Sequence, residues 1–508
     1  MGSACCLEVR CTSCGTPVAG TRTMTSPTVR ATPTQQQAGA AQRRGYDVNK
    51  RLVSAASATG IGFSQLSSFT GIMNLPRPMH LKTWQLHQKN YHAGACRAAN
   101  SHFQEAAQHV RDAYSEMGVG EPDADGCLDI SVSFDGSWHK RGRTSNNGIA
   151  TVIDIITGLI LDYEVLSKYC HACEIGPAED APEYEEWWHQ HEATCEKNCA
   201  TSSQAMETEA AKRMWGRSIQ RHNFRYKEML SDGDAKAHTA VCEDAPYGPD
   251  CVIEKIDCVN HVTKRMGTAL RTLLDKQKAM GESIGGRGKL TEDMVKKLQG
   301  YYGAAIKANS GNLEAMKQAV WATYFHIAST DEDPHHMRCP AGADSWCRYR
   351  RAEAENRPLP PDTHSLPRSI VSKLTPIYKR LGDPELLKRC LSGKTQNSNE
   401  SFHSMVWRSC PKECWAGRRT VEAAVAVCCP RFNKGSTAIL DVLAELDLVA
   451  GRQAEECMAQ SDLSRVQNAA RKSSEKAKKR RKTIEAVRRQ ERGKCRATEG
   501  ETYAAGAF

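Results

Sequence analysis

Three carboxylates in this chain are spaced so that they could hold metal ions. In ISVSFDGSWHKRG, Ile130, Val132 and Phe134 alternate with Ser131, Ser133 and Asp135. That two-residue period marks a half-buried strand, with Asp135 expected at its tip on the polar face and Gly136 turning the chain away. The run YKEMLS, Tyr226 to Ser231, ends in DGD, so Asp232 stands at a second strand end with Asp234 two residues on. Carboxylates at one edge of a sheet can jointly hold Mg²⁺ or Mn²⁺, hard cations that prefer oxygen ligands. Two such ions about 4 Å apart can activate a water or a 3′-hydroxyl and steady the leaving oxygen of a phosphodiester. A third acid for this chemistry commonly comes from a helix, and NSNESFH offers Glu400 in a polar first turn before Met405, Val406 and Trp407. Each acid also has a plainer reading: Asp135 as a turn opener, Glu400 as a charge favouring a helix N-terminus.

Positioning these acids requires a sheet. After the Asp135 strand, Ile149–Ile156 and Leu159–Leu166 flank a Thr157-Gly158 turn and read as a hairpin, giving a three-strand meander. Tyr226–Ser231 is a fourth strand, a helical AKAHTAVC follows, and VIEKI, Val252–Ile256, is a fifth that runs into DCVNH. Strands alternating with helix after a meander imply a mixed α/β sheet. Residues 1–44, rich in Thr, Pro, Gln, Ala and Ser, read as disordered. The CxxC among Cys5, Cys6, Cys11 and Cys14 reads there as unliganded thiols in preference to the remnant of a metal knuckle. Residues 45–120 form a helical region broken at Pro76 and Pro78, and 125–261 hold the five strands. Residues 262–395 are a long helical stretch, 396–460 a further set of helices, and 461–508 a basic tail read as disordered.

A chain of 508 residues with 40% hydrophobic and 25% charged residues can form a sizeable core and two or three folded parts. No apolar run reaches the ~18 residues needed to span a membrane. The start, MGSACCLEVRCTSC, lacks the basic flank and apolar stretch of a secretion signal, and Cys6 spoils an acylation match. The 22 cysteines therefore read as thiols of a reducing compartment, and their clusters with His as zinc ligands. The net charge of +10 is concentrated between Arg471 and Lys494, where twelve Lys/Arg meet three Glu.

FDGSWHKRG, YKEMLSDGDAKA, the CxxH of Cys258 to His261 and NSNESFHSMVW, taken in order, resemble the Mutator-like transposases of animal genomes, relatives of the Mutator and Kolobok groups. The likeness runs from about Asn49 to Gly435. It implies an RNase H-like catalytic domain with a large helical insertion, and a metal site that cuts and joins DNA. Residue by residue, it implies Asp135 as first acid, Asp232 as second with Asp234 the alternative, and Glu400 as third. Cys258 and His261 match the family's CxxH and are expected to support the site. The implied partner is DNA, at the element's ends and at its target. Association with further copies of the chain is allowed for but not specified. The low-complexity start stands where such enzymes often carry a recognition domain.

Two Cys/His sets have zinc spacing. Cys170, Cys173, His191 and Cys195 form CxxC followed by HxxxC, with His189 and Cys199 as competitors. His326, His336, Cys339 and Cys347 form a second set, with His335 competing for His336. A full set of protein ligands makes either zinc structural. Lys140 and Arg141, beside Trp138 and His139, form a basic and aromatic lip suited to DNA. KAKKRRK, with Lys478, Lys479, Arg480 and Arg481, is a nuclear-import-like cluster that could also lie against phosphates. The function expected is metal-dependent DNA cleavage and strand transfer in the nucleus. The rivals are a catalytically silent DNA-binding derivative and a zinc-rich interaction module.

Overall fold

The computed structural model describes residues 6–7, 23–24, 28–29, 45–140, 145–233, 235–286, 288–361, 366–481, 483–484 and 487, those before 46 through their backbone only. Arg141 and Asp234 lie outside the described residues, as do most of 1–44, read as disordered, and of 485–508. Among the described residues no helix is long and apolar enough to cross a membrane.

Alternating sequence produces one mixed sheet of five strands. These are β1 (Leu128–Trp138), β2 (Asn147–Asp154), β3 (Ile160–Ser167), β4 (Phe224–Ser231) and β5 (Glu254–Asp257), in the order β3-β2-β1-β4-β5. The first three form an antiparallel meander, tightened at its second turn by the Asp154 carboxylate, which accepts from Thr157 N (2.6 Å) and Oγ1 (2.7 Å). β4 lies parallel to β1 and β5 parallel to β4. Parallel neighbours need crossovers, supplied by helices α1 (Met206–His222) and α2 (Lys236–Asp244). The chain then runs through α3 (Val259–Ala279), α4 (Glu292–Ala308), α5 (Leu313–Ala328) and α6 (Arg368–Leu381) before α7 (Asn397–Ser409) returns to the sheet.

Asp135 does not end its strand, contrary to the sequence reading. Gly136 continues β1, and pairing with β2 passes through Asp135↔Thr151 to Trp138↔Gly148. What ends is the other side: pairing with β4 stops at Ser133↔Leu230. Two residues further in the same register, Asp135 stands level with Asp232, which follows the last residue of β4.

Both faces of the sheet are covered. Ile130, Val132 and Phe134 pack with Met214 and Trp215 of α1 and with Val110 and Tyr114 from the last turns of the helix Leu81–Met117. Trp215 sets its ring edge-on to Phe134 and Tyr226, centroids 5.6 and 5.2 Å away. Burying each such side chain stabilises the fold by roughly 1.5–3 kcal/mol. The opposite face, with Ser131, Ser133 and Asp135, lies under α7, whose Phe402 and Val406 are fully buried. Helices α3 to α6 enclose their own core, where Val262, Met266 and Leu270 of α3 meet Tyr302, Val320, Leu374 and Tyr378.

The sheet and helices α1 to α7 belong to a unit of residues 56–66 and 99–429; a second unit gathers 1–55, 67–98 and 430–508. In the latter, Lys50 Nζ donates to the Leu446 carbonyl (3.2 Å) and Arg97 to Glu445 Oε2 (2.7 Å). Gly94 lets Leu446 approach where a Cβ would meet its Cδ2 at 2.9 Å. The Asp462 carboxylate accepts from Ser436 N and Thr437 N at 2.8 and 3.2 Å. The described part of the basic tail is helical rather than disordered: Arg452–Ser473, then a further helical stretch from 475 to 481.

Candidate metal centre

Asp135 sits in β1 with its side chain 19% exposed and Oδ2 3.5 Å from His403 Nδ1. That contact has the length of a weak ion pair, yet neither partner is suited to carry its charge. Burial first, then the negative charges of Glu207, Asp232 and Glu400, push the Asp135 carboxyl up to about 8, against one Gly136 N–H that lowers it. Burial and the Lys412 charge push His403 down to about 3, so the imidazole is neutral. Asp135 is therefore a carboxylate crowded by other carboxylates.

The neighbouring buried acids differ. Asp162 on β3 takes Arg217 Nε at 2.8 Å and Arg221 as well. Asp154 accepts from the Tyr114 hydroxyl at 3.0 Å, and Asp257 takes Arg389 Nε at 2.9 Å. Those three have protein partners that justify their burial. Asp135 instead combines burial, the largest influence on it, with charges that are all acidic, a condition a divalent cation relieves.

Glu400 is carried by α7, and α7 is pinned to the sheet by the residue before it. The Asn399 carboxamide is fully buried; its Oδ1 accepts from Ser133 Oγ at 2.6 Å, and its Nδ2 reaches Ser133 O and Thr151 Oγ1 at 3.4 and 3.3 Å. One side chain so ties the Glu400 helix to β1 and β2 together. Gln396 adds a strut, its Nε2 donating to the Phe134 carbonyl at 2.8 Å, and Trp407 Nε1 donates to Ser137 Oγ at 2.8 Å. The CxxH closes the frame. Buried Cys258 precedes α3 and accepts from Gln396 N at 3.4 Å, while His261 Nε2 lies 3.7 Å from Glu400 Oε1. Asp232 and His261 also line one end of a groove of about 1290 Å³ between α3 and α6.

Among the described residues Asp135, Asp232 and Glu400 are not a group whose oxygens all lie within 4.8 Å. What joins them is register, the pinned α7 and the charge that Asp135 feels. Glu207, in the first turn of α1, was missed by sequence reasoning. It packs beside Gly136, where a Cβ would meet its Cγ at 3.2 Å, and it is the leading charge on Asp135. In the sequence it passes for a dipole-favoured acid at a helix start.

Both Cys/His sets do converge. Cys170, Cys173, His191 and Cys195 present ligand atoms all within 4.8 Å, as do His326, His336, Cys339 and Cys347. Tetrahedral zinc with bonds of about 2.0–2.3 Å puts ligand atoms about 3.3–3.8 Å apart. In the first set Cys173 Sγ lies 3.3 Å from His191 Nε2 and 3.5 Å from Cys195 Sγ. In the second, His326 Nδ1 to His336 Nδ1 is 3.2 Å and each Cys–His contact 3.6 Å. Both sets can hold a metal such as zinc. His336 Nε2 also meets Ser329 Oγ at 3.0 Å, orienting the ring from behind. The competitors point elsewhere: His335 pairs with Asp333 (3.1 Å), Cys199 meets Thr201 Oγ1 (3.0 Å) and His189 is exposed.

The aromatic lip expected beside Asp135 does not form as read. Trp138 Nε1 donates to the Ser203 carbonyl at 2.8 Å, and His139 is buried, its Nε2 3.3 Å from the Pro411 carbonyl. Rings held by the protein's own backbone are not free platforms for bases. Lys140 is exposed, as are Lys478, Lys479, Arg480 and Arg481.

A family model described as Mutator-like transposase matches residues 1–347. The matched span takes in Asp135, Asp232, the CxxH and both Cys/His sets, and it ends before α7 and Glu400. No curated protein matches the chain.

Proposed function

From the premise that this chain belongs to the Mutator-like transposase family, we propose that it is a DNA transposase whose RNase H-like sheet carries a metal-dependent cleavage and strand-transfer site. The observation that carries this reading is the crowding of Asp135. A carboxylate on the central strand, level with Asp232 and under a helix bearing Glu400, is raised to about 8 by burial first and then by the surrounding acids Glu207, Asp232 and Glu400. An all-oxygen donor set of that charge fits Mg²⁺ or Mn²⁺. When bound, such ions supply a deprotonated nucleophile and charge neutralisation at the leaving 3′ oxygen.

The chain's own residues do the rest. Asp135, Asp232 and Glu400 would hold the ions, Asp234 remaining the alternative to Asp232. Asn399 fixes the helix that brings Glu400 to the sheet. Neutral His403 stands beside Asp135 without competing for its charge, and His261 steadies Glu400. The two Cys/His sets would hold structural zinc, leaving no open position for chemistry. A nuclear location follows from the cluster KAKKRRK.

The test is nicking and end joining with Mn²⁺ on DNA carrying the terminal repeats that flank the coding sequence. Asp135→Ala, Asp232→Ala and Glu400→Ala should each abolish cutting while DNA binding persists. Unchanged nicking by Glu400→Ala would remove the third acid from the account. Absence of nicking by the unaltered protein would favour a silent DNA-binding derivative.

A further inference from the structure

The groove that starts at Asp232 and His261 lies between α3 and α6, and its walls are strongly basic. Lys264, Arg265, Lys276, Lys373, Arg380 and Arg389 line it against two acids, Asp232 and Asp383. Basic faces of helices are usually solvated and neutralised by acids on the same surface. That happens just outside the groove, where Arg271 pairs with Glu292 at 2.7 Å. Inside it, Lys264, Lys276 and Arg380 make no ion pair among the described residues. Low-dielectric walls around unneutralised cations concentrate the attraction for an anion.

The cations are ordered along the wall. Lys264, Thr268, Thr272 and Lys276 recur at four-residue steps and so form one file on α3. The file is about 18 Å long at 1.5 Å per residue, the span of roughly five phosphates at ~3.4 Å per residue of a stacked strand. Two threonines between the lysines keep the centre low, so a backbone can lie close. Lys373, Pro376, Ile377 and Arg380 of α6 form the facing wall.

At the Asp232 end the groove meets a second cavity of about 350 Å³, and the two share Gly233, Arg265 and Arg389. Here three cations surround one buried carboxylate: Arg389 Nε is 2.9 Å from Asp257 Oδ2, with Lys255 Nζ 3.9 Å and Arg265 Nη2 4.0 Å from Oδ1. The Arg265 guanidinium lies against Gly233, in space that any Cβ there would fill, directly beside Asp232. Asp257 thus acts as a positioning residue for positive charge next to the acids.

We infer that this groove binds the sugar–phosphate backbone of a DNA strand leading to Asp232, with Arg265 taking the phosphate nearest the acids; the inference rests on the chain being a DNA-cutting enzyme. A duplex end and a single strand share the phosphate chemistry, and both are tested.

The experiment measures fluorescence anisotropy of labelled single-stranded and duplex oligonucleotides with the full chain, over a salt series without added Mg²⁺. Lys264→Ser, Lys276→Ser and Arg380→Ser are combined, since these side chains are exposed. A matched triple, Lys264→Arg, Lys276→Arg and Arg380→Lys, keeps the charge. The serine triple should bind at least about tenfold more weakly, and its slope of log affinity against log salt should fall by about two to three. The charge-keeping triple should bind like the unaltered protein. The DNA form that loses affinity identifies the strand the groove holds. Unchanged affinity and slope on both DNAs would overturn the inference, as would equal weakening in the charge-keeping triple. If the unaltered protein binds through the groove but never cuts DNA, the transposase reading fails and the groove stands. If it cuts DNA and the serine triple binds normally, the groove fails and the reading stands.

Discussion

The Asn399 carboxamide oxygen accepts a 2.6 Å hydrogen bond from the Ser133 hydroxyl, joining the residue before Glu400 to the strand position two residues before Asp135. Two carboxylates some 265 residues apart in sequence are held in one frame by this buried contact and its partners on Thr151.

Breaking that frame should cost both stability and activity. Asn399→Ala leaves the buried Ser133 hydroxyl without its acceptor, a loss of about 1–3 kcal/mol in a urea melt. Groups that orient metal ligands typically change activity by about 10–100-fold. DNA cleavage should fall within that range while circular dichroism is unchanged. Full cleavage by the folded variant would show that Glu400 needs no such support.

The crowding of Asp135 predicts an unusual pH dependence of stability in metal-free protein. With its carboxyl raised from 3.8 to about 8, the folded chain keeps a proton that the unfolded chain has released between about pH 4 and 8. The stability tied to that proton is full below this window and is lost as pH rises through it. Asp135→Asn removes the effect. Its melting temperature, relative to the unaltered protein, should climb from near zero difference at pH 4 to several degrees at pH 8. Mg²⁺ should then stabilise the unaltered protein and not the variant. A difference that does not change with pH would mean that Asp135 is ionised in the fold.

Glu207 gives a second pH test with a definite sign. Removing its charge in Glu207→Gln lowers the Asp135 pKa, so that carboxylate ionises, and loads metal, at lower pH. The acidic limb of the cleavage profile should move toward lower pH with little loss of maximal rate. Loss of cleavage at every pH would instead make Glu207 a metal ligand.

Each Cys/His set should account for one zinc. Elemental analysis is expected to give two zinc per chain, with Cys173→Ser and Cys339→Ser each losing one. A chelator should lower the melting temperature of the unaltered protein. Two zinc retained in Cys339→Ser would exclude the second set.

Alternation made the sheet legible: Ile130, Val132 and Phe134 pointed to β1 without help from the rest of the chain. The strand's end was misread because Gly136 is a turn residue by type, whereas β2 extends its pairing to Trp138. Pairing partners decide where a strand stops, and they are not local. The zinc sets were legible from spacing, but His336 and His335 are adjacent and only the fold separates them. Asn399 and His403 lay within a segment already singled out, yet their importance depends on Ser133, Thr151 and Asp135 far upstream. Glu207 was hidden for the same reason. The lip of Trp138 and His139 failed because sequence shows an aromatic ring but not the carbonyl that holds it.

The central claim is that Asp135, Asp232 and Glu400 share bound divalent metal. Counting Mn²⁺ bound to the zinc-loaded protein by electron paramagnetic resonance tests it most directly. The account predicts two Mn²⁺ in the unaltered protein and the loss of at least one in each of Asp135→Ala, Asp232→Ala and Glu400→Ala. Unchanged Mn²⁺ binding in Asp135→Ala, whose carboxylate feels the charges of both Asp232 and Glu400, would contradict it.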